Sequence, residues 1–345
     1  MVSELSGRAK TIWCAGLSMI AFAGNSLFCR AALTHTQIDA MTFTLPRIVS
    51  GLLTLWLLVH LRDRWRPTCH GAANGHGPDG GTGSPGGNAQ GRAAAGTAVG
   101  RPRGDAADRR RVALTRWWPA LLLFGYAVTF SFAYTGLALA TGALILFGAV
   151  EATMIAFALR IGERYHGRQL FGFVVAAAAF VVLLLPGASA PAWFPSLLMI
   201  AAGVFWGLYS LAGRGAVDPL ASNVGHFARA SVPVILLSMV MIGTLRPDPV
   251  GIAYGIASGG LASGVGYALW YAAMRSLRAG SAAVIQLSVP LIAALGGVVF
   301  LDEALTLRLM LVAIGLPGGL SLALMPARPQ EIALKQTTKY GGSGP

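Results

Sequence analysis

Several ionisable residues lie within long apolar stretches of the sequence, foremost Glu151, Arg47 and Arg229. A charge at the centre of a bilayer costs about 2.5–3.5 kcal/mol on insertion scales, so each needs a partner or a function. The Glu151 carboxylate could bind an ammonium group or a proton, or it could be a structural group bonded to a neighbouring helix. For Arg47 and Arg229 we expect structural roles, such as capping helix carbonyls or snorkelling to the interface, with binding of a substrate carboxylate as the alternative.

Aromatic and amide side chains recur near the middle of the same stretches. Small-molecule sites are lined by aromatic side chains with a few polar anchors, whereas Tyr and Trp that face lipid prefer the membrane interface. Lipid contact or helix packing explains each of these aromatics taken singly, but the set predicts an internal cavity. With Glu151, the predicted substrate-binding residues are Asn25, Tyr126, Phe130, Trp206, Tyr209, Tyr267, Trp270 and Gln286.

A second group of residues is predicted to hold or gate the structure rather than to bind substrate. Glu163 and Glu303 each precede an arginine by five residues, at helix junctions where the pair can hold the turn. His226 could relay protons, although a hydrogen bond between helices is the simpler explanation. The full structural or gating set is Arg47, Arg229, His226, Glu163, Glu303 and Pro290.

The sequence lacks the motifs of the main enzyme and pump classes. No Walker motif, zinc-ligand helix or nucleophile elbow occurs. An intramembrane enzyme would also need a paired nucleophile and base, which the apolar stretches do not offer. Cys14, Cys29 and Cys69 are far apart and form no CxxC motif. We therefore expect a protein that is not an enzyme and that has no cofactor or metal site.

Composition indicates which elements position these residues. Of the 345 residues, 55% are hydrophobic and 11% are charged, yet the net charge is +13. A soluble domain carries about 25% charged residues, so the apolar content argues against a nucleic-acid-binding protein despite the basic charge. A membrane-spanning helix needs about 20 apolar residues. Such segments predict an all-α integral membrane protein with ten transmembrane helices, at 11–33, 40–61, 118–138, 141–161, 168–186, 193–213, 221–245, 250–273, 279–301 and 306–326.

Basic residues mark one side of this predicted membrane protein. Ten arginines fall in 62–117, whose Gly- and Arg-rich sequence predicts a disordered loop. By the positive-inside rule, we expect that loop and both termini in the cytoplasm, with the helices in a bacterial inner membrane. The N-terminus imitates a signal peptide, but its apolar run continues to Leu33. The cytoplasmic tail 327–345 ends in GGSGP, which resembles a cloning scar.

The two halves of the chain carry a repeated pattern. Four anchors recur 140 residues later, namely Val150, Glu163, Arg168 and Pro186 as Pro290, Glu303, Arg308 and Pro326. Each repeat, 11–186 and 193–326, holds five predicted helices, so the second repeat enters the membrane inverted. Folds of this kind bind substrate near the bilayer midplane and alternate access by moving one repeat against the other.

Specific stretches of the sequence support the prediction of two inverted repeats. They are AFAGNSLFCR in the first predicted helix, GVFWGLYSLAGR in the sixth, Arg47 and Arg229, and LSVPLIAALGGVVFLDEAL with its first-half counterpart GAVEATMIAFALRIGERY. In these stretches the sequence resembles the drug/metabolite transporter superfamily in its ten-helix EamA form. Val150 and Glu151 stand where that family usually has proline. The resemblance implies an exporter of small metabolites and is nearest to the amino-acid exporters, including the aromatic branch.

Together these observations predict a secondary transporter that exports small metabolites across the lipid bilayer, with hydrophobic or aromatic amino acids favoured. Lipophilic cations are the alternative substrate class, which the Glu151 carboxylate would suit. A channel is a third option, which saturable uptake and counterflow would separate from a carrier. Coupling to protons and facilitated diffusion both stay open, and the sequence predicts no oligomeric state.

Overall fold

In the computed structural model, the described parts of the chain are helical wherever they form regular structure. The structure describes residues 2–64, 106–162, 167–184, 191–213, 216–274, 285–304 and 306–324. Within these ranges the long helices are α1 Val2–His35, α2 Ala40–Arg64, α3 Ala106–Ala133, α4 Leu139–Arg160, α5 Gly167–Leu184, α6 Trp193–Ala212, α7 Pro219–Val240, α8 (segments Pro249–Ala257, Ser258–Val265 and Gly266–Met274), α9 Ser288–Leu301 and α10 Leu307–Leu324. A short 3₁₀ turn, Ile242–Thr244, follows α7.

The described helices have the length and composition of membrane spans. Six of them (α1, α2, α4, α6, α7 and α8) are long and apolar enough to cross a bilayer. The other four contain shorter apolar stretches, at Trp117–Ala133, Gly167–Ala179, Ser288–Leu301 and Leu307–Gly319. The prediction of an all-α integral membrane protein is confirmed.

The basic segment 62–117 differs from the prediction at both of its ends. Helix α2 continues to Arg64, and α3 begins at Ala106, well before the predicted start of its apolar stretch. The Ala- and Arg-rich sequence that opens α3 consists largely of good helix formers, which explains the extension. The middle of the predicted loop lies outside the described residues, as do Glu163 and the tail from Met325 onward.

Two helices of the second half begin with the same local signal. Asp218 and Asp248 each precede a proline, and their carboxylates accept hydrogen bonds from the backbone amides of Ala221 (3.2 Å) and Gly251 (2.8 Å). An aspartate cap followed by proline at the first helical position satisfies a free amide and fixes the first backbone angle. These caps define the starts of α7 and α8.

Contacts between connections define two ends of the bundle. At the Asp39 end, Asp39 accepts a hydrogen bond from the backbone amide of Arg246 (2.7 Å), which joins the α1–α2 and α7–α8 connections. At the Arg62 end, Arg62 at the close of α2 pairs with Asp218 at 2.8 Å. The two contacts lie at opposite ends of α2.

Helix packing follows a crossed pattern between the two halves. Helix α3 packs against α6 and α7, while α8 packs against α1 and α2. In the same way α4 packs against α6, and α9 packs against α1. Three further pairs join the halves directly: α2 with α7, α4 with α9, and α5 with α10.

A π-helical segment, Ser258–Val265, interrupts α8 where it crosses α2. Gly251, Gly255 and Gly259 lie four residues apart, and a Cβ on any of them would crowd α2 or the connection before it. Gly260 and Gly264, one and five residues after Gly259, both lie against Thr54 of α2. A π-helical turn adds one residue to the repeat, so the segment keeps this small-residue stripe facing α2 over its whole length.

Candidate substrate site

A buried polar group joins α1, α2, α3 and α8. The Tyr126 hydroxyl oxygen accepts hydrogen bonds from Asn25 Nδ2 and from Arg47 Nη2, both at 3.1 Å. Asn25 Oδ1 accepts a third from the Ser258 hydroxyl at 2.6 Å. All four side chains are buried. Ser258 opens the π-helical segment, so that irregular stretch is bonded directly to the site.

Arg47 is the charged member of this group, and only 2% of it is exposed. Its guanidinium carbon lies 4.6 Å from the ring centroid of Phe130 and 5.2 Å from that of Tyr126, within the range of cation–π attraction. Among the described residues, Arg47 Nη1 is the one buried side-chain nitrogen or oxygen without a hydrogen-bond partner. The site therefore places beside aromatic rings a buried donor that makes no hydrogen bond to the described residues.

An aromatic column runs from this group towards the Arg62 end. Trp206 lies at its centre, with ring centroids 4.8 Å from Tyr126, 5.5 Å from Tyr209 and 5.7 Å from Tyr267. The Trp206 and Tyr267 rings are nearly parallel, at 22°. Trp270 joins through Phe22, which contacts both Trp270 and Tyr267 edge-on. The structure thus brings together most of the aromatic residues that the sequence singled out.

A second polar group lies below the column, nearer the Arg62 end. The Tyr209 hydroxyl donates to Asn223 Oδ1 and lies 3.2 Å from His226 Nδ1. Asn223 Nδ2 donates to the Tyr271 hydroxyl at 2.8 Å. His226 therefore contacts a residue of α6 from its own place in α7.

Sequence reasoning missed three members of these polar groups: Ser258, Asn223 and Tyr271. Two of them carried a usable signal. Asn223 is an amide three residues before His226, on the same face of a helix, and Tyr271 lies one turn beyond Tyr267. Ser258 carried none, because its role depends on a contact with Asn25, 233 residues away.

The remaining predicted residues occupy varied places. Glu151 is buried in α4, next to the crossing at which Gly203 and Gly207 of α6 approach the α4 backbone. Arg229 bonds Gly225 O of its own helix at 2.9 Å. Gln286 is half-buried just before α9, and Pro290 is buried in the first turn of α9.

Glu303 lies at the Asp39 end, in the connection between α9 and α10. Its two carboxylate oxygens accept from the backbone amide of Leu139 at 2.7 and 2.8 Å, and Arg30 Nε lies 3.4 Å from one of them. Arg30 also donates to Tyr134 O at 3.0 Å. A cavity of about 340 Å³ lies beside Glu303, with Thr141 and Thr306 in its lining.

Two carboxylates in the connections have lowered pKa values. Hydrogen bonding from Arg62 lowers the pKa of Asp218. Partial burial acts to raise the pKa of Asp39, but hydrogen bonds from Thr42 and from the backbone amide of Arg246 outweigh it and lower that pKa. Both groups are therefore ionised at neutral pH and hold the connections at opposite ends of the bundle.

The fold and this internal site define a multi-pass helical membrane protein with a polar and aromatic centre. Residues 193–325 match the EamA-like transporter family. The chain is 43% identical over 317 residues to an uncharacterized protein of Pseudomonas aeruginosa, an alignment that covers 92% of this chain and 95% of the relative. A solved crystal structure has the same fold, with a TM-score of 0.56 and 17% sequence identity. The match covers 90% of this chain and 99% of that one.

The chain belongs to the EamA-like transporter family, within the drug/metabolite transporter superfamily. It is accordingly a multi-pass membrane transporter of small molecules. The match covers the second half of the chain, where α6 contributes Trp206 and Tyr209 to the site.

Proposed function

We propose that the protein is a secondary transporter that exports amino acids, with hydrophobic and aromatic side chains favoured, across a bacterial inner membrane. The observation that carries this proposal is the aromatic column around Trp206, which ends in the buried amide, hydroxyl and guanidinium groups of Asn25, Tyr126 and Arg47. An apolar wall with a few polar anchors suits a small molecule that has a polar head and an apolar side chain.

Alternating access between two inverted repeats is the mechanism that we propose. The crossed packing supports it, since α3 contacts α6 and α7 in the same way that α8, its counterpart, contacts α1 and α2. A two-fold axis that relates the repeats would map the contacts of α3 with α6 and α7 onto the contacts of α8 with α1 and α2. The pairs α2–α7, α4–α9 and α5–α10 would then lie on the axis of that relation.

Contacts at the two ends would act as alternate gates. The Arg62–Asp218 ion pair joins the repeats at one end, while Glu303 with Leu139 joins them at the other. Opening either side requires one set of contacts to break while the other holds. With the termini in the cytoplasm, as the positive-inside rule indicates, the Arg62 end faces the cytoplasm.

Lipophilic cations are the second substrate class, and the aromatic column favours them in one respect. A cation over the faces of Trp and Tyr is attracted by the ring quadrupole, and Glu151 adds a buried carboxylate in α4. Against this class, the guanidinium of Arg47 adjoins the same rings and would repel a cation.

Transport by the purified protein in proteoliposomes tests the proposal. We expect saturable uptake and counterflow of labelled phenylalanine or leucine, measured at two internal pH values so that proton coupling is also assessed. Trp206→Ala should abolish uptake, while Trp193→Ala, which alters a tryptophan that is 77% exposed at the start of α6, should leave it unchanged. Competition by quaternary ammonium compounds but not by amino acids would favour the cation class, and flux without counterflow would indicate a channel.

A further inference from the structure

We propose that Arg47 Nη1 binds the carboxylate of the transported amino acid, an inference that rests on the proposed function and specifies its substrate recognition. Arg47 is 98% buried, and none of the ion pairs in the described ranges includes it. Its Nη1 is without a partner among those residues. A guanidinium in this position suits an anionic ligand, since burial of a charge without a counter-ion in the described residues is unfavourable.

The geometry of the guanidinium is already fixed for such a ligand. Nη2 donates to the Tyr126 hydroxyl at 3.1 Å, and the rings of Tyr126 and Phe130 lie alongside the guanidinium. These contacts hold the group in one orientation and leave Nη1 free to donate. A charge-assisted hydrogen bond to a carboxylate is the strongest that this nitrogen can form.

Arg229 provides an internal comparison. It occupies the position in α7 that corresponds to Arg47 in α2, yet its Nη1 donates to the carbonyl oxygen of Gly225 at 2.9 Å. The two arginines therefore share a place in the repeat but not a role. Arg229 has a nitrogen bonded within its own helix, whereas Arg47 has a buried nitrogen with no hydrogen-bond partner in the part of the chain that the structure describes.

The surroundings of Arg47 favour an amphiphilic ligand. Phe130 is fully buried, and Trp206 is half-buried although three other rings contact it. An aromatic or aliphatic side chain of the ligand would lie along this column while its carboxylate meets Arg47. Since the rings cover the guanidinium in this structure, the ligand reaches it only when the repeats move apart.

Ligand-induced shifts in the melting temperature of the purified full-length protein test the assignment without any mutation. A ligand that binds the folded state raises the melting temperature with its concentration. Phenylalanine and 3-phenylpropionate, which carry the carboxylate, should raise it, whereas phenethylamine and phenylalaninamide, which lack it, should not. An equal shift with phenethylamine would overturn the assignment.

Variants then assign the effect to one residue. Arg47→Gln should lose the phenylalanine-dependent shift and weaken apparent affinity by at least about tenfold, because one charged hydrogen-bond partner is removed. Arg47→Lys should restore part of it, and Arg229→Gln should keep the full shift. An unaltered shift in Arg47→Gln would overturn the assignment while amino-acid uptake by the wild type still supports the proposed function. If the wild type neither shifts nor takes up any amino acid, both proposals are wrong.

Discussion

The backbone amide of Leu139, the first residue of α4, donates to both carboxylate oxygens of Glu303, at 2.7 and 2.8 Å. Asp302 makes this possible, because its left-handed conformation (φ 51°) ends α9 and turns the chain back towards α4. The carboxylate thus caps a helix of the first half from a connection of the second. The free amides and the dipole at a helix N-terminus both favour a negative charge in this place.

Removing this cap should lower stability. We expect Glu303→Ala to lose about 1–2 kcal/mol, as N-cap deletions do, seen as a melting temperature lower by several degrees in detergent. Asp302→Asn is the matched control, since it neutralises the adjacent exposed carboxylate and asparagine tolerates a left-handed conformation. Equal destabilisation by the two variants would show that the cap contributes nothing specific.

The α2–α8 crossing should be intolerant of any side chain at Gly259. A Cβ there would overlap the carbonyl oxygen of Arg47 and the Ser50 hydroxyl. Gly259→Ala should therefore cost about 1–3 kcal/mol through overpacking and should reduce transport, because the backbone that carries Arg47 must shift. Gly318→Ala in α10, where a Cβ meets no atom within 4 Å, should be neutral or stabilising. The melting temperatures of the two variants test this prediction, since only Gly259→Ala should lower the melting temperature.

The Tyr126 hydroxyl should matter for binding more than for folding. Tyr126→Phe keeps the ring contacts with Phe130 and Trp206 but removes the acceptor shared by Asn25 and Arg47. We expect KM for amino-acid uptake to rise about three- to tenfold, as the loss of about 1 kcal/mol in positioning implies. Tyr254→Phe, at a tyrosine whose ring contacts Phe28, is the control. An unchanged KM in Tyr126→Phe would contradict the prediction.

Glu151 should affect transport rather than assembly. We expect Glu151→Gln to fold and to reach the membrane, yet to abolish uptake or to remove its dependence on pH, because the amide cannot release a proton. Glu151→Asp keeps the charge and should retain part of the activity. Uptake by Glu151→Gln that matches the wild type at every pH would leave the carboxylate a purely structural role.

The Arg62–Asp218 ion pair should give a small stabilisation that is lost only in acid. Arg62 lowers the pKa of Asp218 in the folded state, so the pair stabilises the fold above the ordinary aspartate pKa of about 3.9 and is lost as pH falls through the lowered value. Both groups are partly exposed, so Asp218→Asn should cost under about 1 kcal/mol at neutral pH. The control is Asp248→Asn, which alters the equivalent cap at the opposite end. Melting temperatures followed from pH 7 into the acid range should converge for Asp218→Asn and wild type once the pH falls below the lowered pKa of Asp218.

The sequence by itself determined the helices, because a membrane span is a local property of some 20 consecutive apolar residues. It also located most of the aromatic column, since Tyr and Trp in the middle of such spans prefer an interior site to lipid. The sequence did not predict that α2 and α3 extend into the basic segment. Residues there favour a helix, but they lack the apolar face by which a helix is recognised from sequence.

The tertiary structure alone decided which polar groups meet. Arg47 and Arg229 have equivalent sequence positions, but in the folded protein Arg229 bonds Gly225 of its own helix, whereas Arg47 Nη1 has no hydrogen-bond partner among the described residues. Two hydrogen bonds join residues more than a hundred positions apart in the chain: Asn25 with Ser258, and Leu139 with Glu303. Such pairings depend on how helices cross, and a crossing is set by close-packed surfaces such as Gly259 against α2, which no local pattern encodes.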